Sequence, residues 1–333
     1  MIDYNLSNTM QYIDYTEDTW LEERRKGIGG SDVAAILGEN KYSSPLKVYK
    51  DKVEGIRTDV SDKVFVRKGK DLEGFVRNVY CTPMLEKMGY EVIHPQHIFI
   101  NPAFPWIRAN LDGLAIPKIN EFGFRENFEN NIVIEIKWVS EWAEDAWCDE
   151  RYNYVPIHYY MQVQTYMAVT GAKKAIVFAL FDKNWEVRTF ELRRNEAMIA
   201  NILSKTKDFY TNNMCMKIPP AIKASIDTED VVERAKTISK TDTYEEDSKL
   251  NVLIANYLEY EGRRKELEKT CSNLKDEIIA LHLDGKCPVD KIFKVNLSVC
   301  NTRRFNSTKF KEDHPDMYEQ YLSDSSYTKF SIK

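Results

Sequence analysis

Apolar side chains recur with a period of two over residues 91–100, 106–116, 132–139, 175–181 and 185–191, which predicts strands. Pro102 and Pro105 mark the turn between the first two, and Asp182-Lys183-Asn184 closes the last two into a hairpin. Helical spacing predicts helices over residues 44–55, 61–80, 156–171 and 194–213, with Val64, Leu72, Phe75, Val76 and Val79 inward in the second of these. A shorter helix follows Gly27-Ile28-Gly29-Gly30-Ser31-Asp32 and stops at Gly38, and residues 120–131 are polar enough for a surface loop. Trp142 and Trp147 are expected as core anchors, and His94 and His97 as structural histidines on opposite sides of their strand.

The character changes at Pro219-Pro220. Residues 225–247 are charged, poorly periodic and linker-like. Leu250, Leu253, Tyr257, Tyr260, Arg264, Leu267, Cys271, Leu274, Ile278 and Leu281 then alternate steps of three and four on one long helix, the pattern of a helix–helix seam. Packing within the chain is the first expectation for that seam, and a register-specific contact between subunits is the alternative, since Arg264 interrupts it. A strand over 291–300, a helix from Ser307 and the segment 329–332 complete a small α+β cap. The expected organisation is an α/β (α+β) domain over residues 1–224, a linker over 225–247, and a long helix with its cap over 248–333.

Within 132–139, Ile134, Ile136 and Trp138 share one strand face, while Val133, Glu135, Lys137 and Val139 share the other. Two charges thus lie among apolar neighbours of interior-strand type, where an unpaired carboxylate or ammonium costs several kcal/mol, to order of magnitude. A divalent metal on Glu135 and a phosphate beside Lys137 would compensate them. Asp112, at the end of the preceding strand, would supply a second carboxylate to the same ion. The bland reading is a solvated Glu/Lys pair and an Asp-Gly hairpin turn.

Composition narrows the choice. With 333 residues, 43% hydrophobic and 12% aromatic, the chain has material for a sizeable core. A formal charge of -5 excludes binding nucleic acid through bulk positive charge, though not an acidic enzyme with a local basic channel. The six cysteines show no Cys-x-x-Cys pair, which points to reduced thiols in a cytoplasmic protein. No apolar run approaches the roughly 20 residues of a membrane span, so no membrane association is expected.

Trp20, Arg24, Gly29-Gly30-Ser31-Asp32, Gly69 with Glu73, Leu111-Asp112-Gly113, Glu135-Ile136-Lys137, and Gln162 with Tyr166 stand in one order along the first two thirds of the chain. In that order they resemble the YqaJ-type viral recombinase family, relatives of lambda exonuclease among the PD-(D/E)XK nucleases. The resemblance implies a restriction-endonuclease-like core, a mixed central sheet flanked by helices. It also implies that Asp112, Glu135 and the carbonyl of Ile136 ligate magnesium or manganese, that Glu73 assists, and that Lys137 orients or activates water. Gln162 would correspond to the glutamine of a Gln-x-x-x-Tyr motif, with Gln164 as the alternative, and Arg24 and Ser31 to residues holding a terminal 5′-phosphate.

The activity implied is a 5′ to 3′ exonuclease on linear double-stranded DNA ends, serving phage-type recombination and passing single strands to an annealing protein. An endonuclease or junction resolvase on the same core, and an inactive DNA-binding assembly factor, are the alternatives; a homo-oligomer is left open. Two departures stand out. The insertion between Asp112 and Glu135 lengthens a site loop, and the long helix with its cap exceeds the compact lambda-type enzyme, so its ring-shaped trimer is not assumed. The scattered cysteines lack the spacing of the iron–sulfur cluster found in some relatives, and no cluster is expected.

Overall fold

The computed structural model describes residues 11–14, 16–56, 64–147, 154–237, 246–289, 293–324 and 327–332. The chain first forms β1 (Gln11–Asp14), α1 (Glu17–Arg25), β2 (Ile28–Gly29), α2 (Gly30–Ile36), α3 (Pro45–Tyr49), α4 (Val64–Val76) and α5 (Thr82–Lys87). The strands β3 (Tyr90–Ile93), β4 (His97–Ile100), β5 (Ile107–Arg108), β6 (Gly113–Pro117) and β7 (Ile132–Val139) come next. They are followed by α6 (Ile157–Thr170), β8 (Lys174–Phe181), β9 (Glu186–Arg193), α7 (Glu196–Phe209) and α8 (Thr228–Thr237), then α9 (Ser248–Leu283), α10 (Ser307–Asp313) and α11 (Pro315–Gln320). Two compact units divide the chain, Met1–Asp230 and Val231–Lys333.

The first unit is built on a mixed five-stranded sheet in the order β3-β6-β7-β8-β9, with β7 in the middle. Its β7 and β8 run parallel, a pairing that requires a crossover, and α6 is the crossover helix. Gly171 ends α6 at φ 76°, a left-handed conformation that spares a side chain the usual clash. Alternation along β7 sorts its side chains as the sequence predicts. Ile132, Ile134 and Ile136 pack with Val76, Cys81 and Leu85 of the α4–α5 side. Val133 and Val139 join Val163, Met167 and Val169 of α6 on the opposite face. Helices therefore cover both faces, and in mid-β7 Glu135 is fully buried while the Lys137 side chain keeps 18% exposure.

Two strands expected to be continuous are broken. Pro95, which lacks an N–H and fixes φ, falls inside residues 91–100, and β3 joins the main sheet while β4 pairs with β1. His94 and His97 accordingly belong to different surroundings rather than to two faces of one strand. Residues 106–116 divide likewise: β5 pairs in parallel with β2 before the chain enters the main sheet as β6. Asp112 thus stands at the entrance to β6, not at the end of a strand.

Other expectations shift too. Val64, Phe75 and Val79 are exposed, and of the face expected to point inward only Val76 is buried, with Leu72 packed in part. For Val79 the reason is local: the α-helical register is lost at Arg77–Cys81, where a π-turn changes the angular spacing. Trp147 is a core anchor, whereas Trp142 is 93% exposed. Within residues 225–247 the chain forms α8, and the first part is tied down: Asp227 is buried and accepts a hydrogen bond from Ser44 Oγ.

In the second unit, α9 is the long helix the seam predicts. The strand expected over 291–300 is not formed by residues 293–300, and 329–332 are also without regular structure, so the described part of the cap is helical. Residues 290–292 lie outside the described set. Isolated strands with no sheet to pair with are at best marginal in water.

Candidate active site

Glu135 is fully buried at the middle of β7. Its Oε1 pairs with Lys137 Nζ, two residues along the same face, and accepts a 2.7 Å hydrogen bond from Gln162 Nε2 of α6. Its Oε2 is buried and has no hydrogen-bond partner among the described residues. Burial first, and the negative charge of Asp112 second, push the Glu135 carboxyl up to about 8, with Lys137 pulling the other way. Burial works against the Lys137 ammonium, but the charges of Glu135 and Asp112 outweigh it and raise its pKa. Lys137 therefore stays a cation, and the ring of Tyr159 lies 5.0 Å from it.

The antiparallel register, Gly113 opposite Ile134, puts Asp112 level with Glu135. Asp112 Oδ2 accepts from the Ile136 backbone N–H at 2.8 Å, which fixes the carboxylate against β7 where the β6 ladder has ended. Close approach is possible because position 113 is a glycine: a Cβ there would lie 3.2 Å from Ile134 Cβ. Two carboxylates and the main chain of Ile136 thereby come together from strands joined by the long 120–131 loop.

Glu73 reaches this region from α4 but is bound to Arg77, one helical turn on. Burial and the Asp112 charge raise its pKa. The Arg77 Nε also donates to the Asp112 carbonyl at 2.9 Å, so one guanidinium ties α4 to the entrance of β6. Arg77 and Tyr159 were not singled out from the sequence. Both were within reach of helical spacing: Arg77 is four residues after Glu73, and Tyr159 three before Gln162. Of the two glutamines, Gln162 reaches Glu135, and Gln164 instead bonds the backbone at Arg193 and Asn195.

Arg24 and Ser31 also come together. Arg24 Nη2 donates to Ser31 Oγ at 3.1 Å, beside Asp32 at 3.5 Å, while Nη1 lies 3.6 Å from Asp51. Beneath them Lys52, its side chain fully buried, contacts Asp32 Oδ2 at 2.8 Å and donates to the Arg24 carbonyl at 3.1 Å. Burial opposes ionisation of Asp32, yet Lys52 and Arg24 hold its pKa below the usual value.

Tyr166 connects this group to β7. Its hydroxyl lies 3.0 Å from Gln162 Nε2, and its ring lies over Gly30, where an added Cβ would come within 2.5 Å of the ring edge. A buried ring cannot swing aside as a surface side chain does. Gly30→Ala is accordingly expected to cost about 1–3 kcal/mol in overpacking, read by urea denaturation, and to lower activity by displacing Tyr166 and Gln162. Wild-type stability in that variant would show that the ring yields freely.

The donors suit a hard divalent cation. The buried, unpartnered Glu135 Oε2 is the acceptor such an ion would satisfy, and the Asp112 carboxylate and the Ile136 carbonyl are the same oxygen type. Among the described residues no three His, Cys, Asp or Glu side chains converge as a ready-made cage, so the fit rests on two carboxylates and a carbonyl, with Glu73 held aside by Arg77.

Residues 19–173 match the YqaJ-like viral recombinase domain. The Uncharacterized protein YqaJ of Bacillus subtilis (strain 168) is 25% identical over 331 residues, 96% of this chain and 95% of that protein. An alkaline exonuclease, LHK-Exo from Laribacter hongkongensis, is 18% identical and covers 67% of this chain and 100% of its own, with a TM-score of 0.43. A phage related exonuclease from Haemophilus somnus 129PT is 12% identical over 60% of this chain and 99% of its own, with a TM-score of 0.38.

Proposed function

From a chain whose residues 19–173 carry a YqaJ-like viral recombinase domain, we infer a metal-dependent deoxyribonuclease that resects linear double-stranded DNA ends from 5′ to 3′ for phage-type recombination. The observation that carries this reading is the sealed Glu135 carboxylate, one oxygen unpartnered, level with Asp112 and beside a permanent cation, Lys137. A pair kept only for stability would have no use for the free oxygen.

Asp112, Glu135 and the Ile136 carbonyl would hold magnesium or manganese. Bound there, the ion supplies a Lewis acid for the phosphate and a water of lowered pKa. The chain's own groups do the rest. Gln162 and Lys137 fix the Glu135 carboxylate from two directions, and Ile136 N–H fixes that of Asp112, so neither has to reorganise when charge develops. As a persistent ammonium, Lys137 suits orienting water and neutralising a phosphate oxygen better than abstracting a proton. Glu73 assists from α4, released from or positioned by Arg77. The nuclease is assigned to residues 1–224, separated by 225–247 from the C-terminal region 248–333, and its single-stranded product would pass to an annealing protein in the cytoplasm. No helix among the described residues is long and apolar enough to cross a membrane.

Arg24 and Ser31 are assigned to the terminal 5′-phosphate, which carries more charge than a bridging phosphodiester and suits a guanidinium. Asp32 and Asp51 hold that guanidinium, so an arriving phosphate meets a preset side chain. Initial rates on 5′-phosphorylated ends should exceed those on 5′-hydroxyl ends by roughly 10- to 100-fold, the worth of about 1.5–3 kcal/mol for a charged hydrogen bond. Arg24→Ala should erase the difference. Equal wild-type rates on both ends would remove the pocket and leave Arg24 as a structural partner of Asp32 and Asp51.

A further inference from the structure

Within the second unit the seam of α9 is largely uncovered, with Phe330 meeting Tyr257 at 5.6 Å between ring centroids. Its apolar positions lie between 47% and 65% exposed, and no residue of the helix is buried. Ten positions from Leu250 to Leu281 keep the three-four alternation without a slip, which is the a/d repeat of a coiled coil over more than four heptads. A solitary solvated helix does not need that repeat. At 1.5 Å rise per residue, α9 extends for roughly 54 Å. The next longest described helices, α6 and α7, have 14 residues each and are packed in the nuclease unit. The helix that matches the seam in length and register is therefore α9 of a second copy.

We propose that α9 pairs with α9 of another copy of this chain as a parallel, in-register, two-stranded coiled coil. Leucine at four of the five d positions, 253, 267, 274 and 281, supplies the packing. In parallel register Arg263 at g of one copy faces Glu268 at e of the other, an attractive pair, and no g–e pair joins like charges. Arg264 is the polar a position that penalises slipped alignments. Its guanidinium is already neutralised on its own helix by Glu261, at 2.6 and 3.0 Å, so two such layers can meet.

Cys271 supplies the geometric test, because an a position faces its own equivalent only when the helices are parallel and in register. The full chain, 39.0 kDa, should sediment as a dimer, and Leu267→Glu with Leu274→Glu should yield monomers with unchanged activity per chain on short duplexes. Mild copper–phenanthroline oxidation should join two wild-type chains through Cys271, and Cys271→Ser should lose that crosslink while keeping the exposed Cys215, Cys287 and Cys300. A monomer at all concentrations, an assembly of any size that survives the seam variants, or a trimer that they dissolve would each overturn the proposal. A seam-dependent dimer with no Cys271 crosslink would overturn the parallel alignment.

Discussion

A Glu135→Gln, Lys137→Met double variant is expected to fold at least as stably as the wild type in metal-free buffer and to have lost cleavage by about 10³-fold or more. The two single variants should differ from it. Lys137→Met leaves the fully buried Glu135 carboxyl with Gln162 alone, and a group already raised to about 8 then takes up a proton, so the lost hydrogen bond costs on the order of 1–3 kcal/mol. Replacing both partners by neutral side chains of similar size removes two desolvation penalties together and is about neutral or stabilising. Stability and activity then move apart, which is the signature of charges kept for chemistry. Urea midpoints and acid-soluble nucleotide release, measured on the same preparations, read both. A double variant that is several kcal/mol less stable would make the pair structural, and one that digests DNA at the wild-type rate would remove both residues from the site.

Chelation should stop activity completely and reversibly, with magnesium or manganese restoring it. The ion should also stabilise the fold it binds. At one hundred times its dissociation constant a bound ligand adds about 2.7 kcal/mol, which for a unit of this size is a rise of roughly 5–10 °C in melting temperature. Asp112→Asn should lose most of that rise, because it halves the carboxylate donors while keeping the shape that accepts from Ile136 N–H. The sign with pH follows from Glu135. Its carboxyl is raised to about 8 by burial and by Asp112, and it must lose its proton to bind a cation, so metal affinity should tighten as pH rises toward 8. Stoichiometric zinc in active protein, or a melting temperature indifferent to magnesium, would contradict the hard-oxygen site.

Much of the site was legible because periodicity is a local signal. The face shared by Glu135 and Lys137 follows from the alternation of one strand, and the apolar residues around them announce its burial. Gln162 and Tyr166 lie one turn apart on one helix, and the structure connects both to Glu135. What a single element does not encode was missed. Asp112 was named from the sequence, but its place at the entrance to β6 rather than at a strand end depends on where the chain changes sheets, which is set by β5 pairing with β2 some eighty residues earlier. The Lys52–Asp32–Arg24 group joins two helical segments through buried charges that look like a solvated face in sequence. Val79 was placed inward because the π-turn after α4 cannot be read from helical spacing, while Val64 and Phe75, which precede that turn, lie on the exposed side of α4 itself. The length of α9 was legible in its spacing, but what its apolar positions pack against is not a property of the repeat.

The most direct measurement uses a linear duplex labelled at one 5′ or one 3′ end, with a covalently closed circle alongside, incubated with the full chain in magnesium or in chelator. Magnesium should release the 5′ label first as short product, leave the 3′ label on long single strands and spare the circle, and Glu135→Gln, Lys137→Met protein should release nothing. Cutting of the circle would make the enzyme an endonuclease on the same core. Loss of DNA that persists in chelator, or in the double variant, would contradict a nuclease centred on Asp112, Glu135 and Lys137.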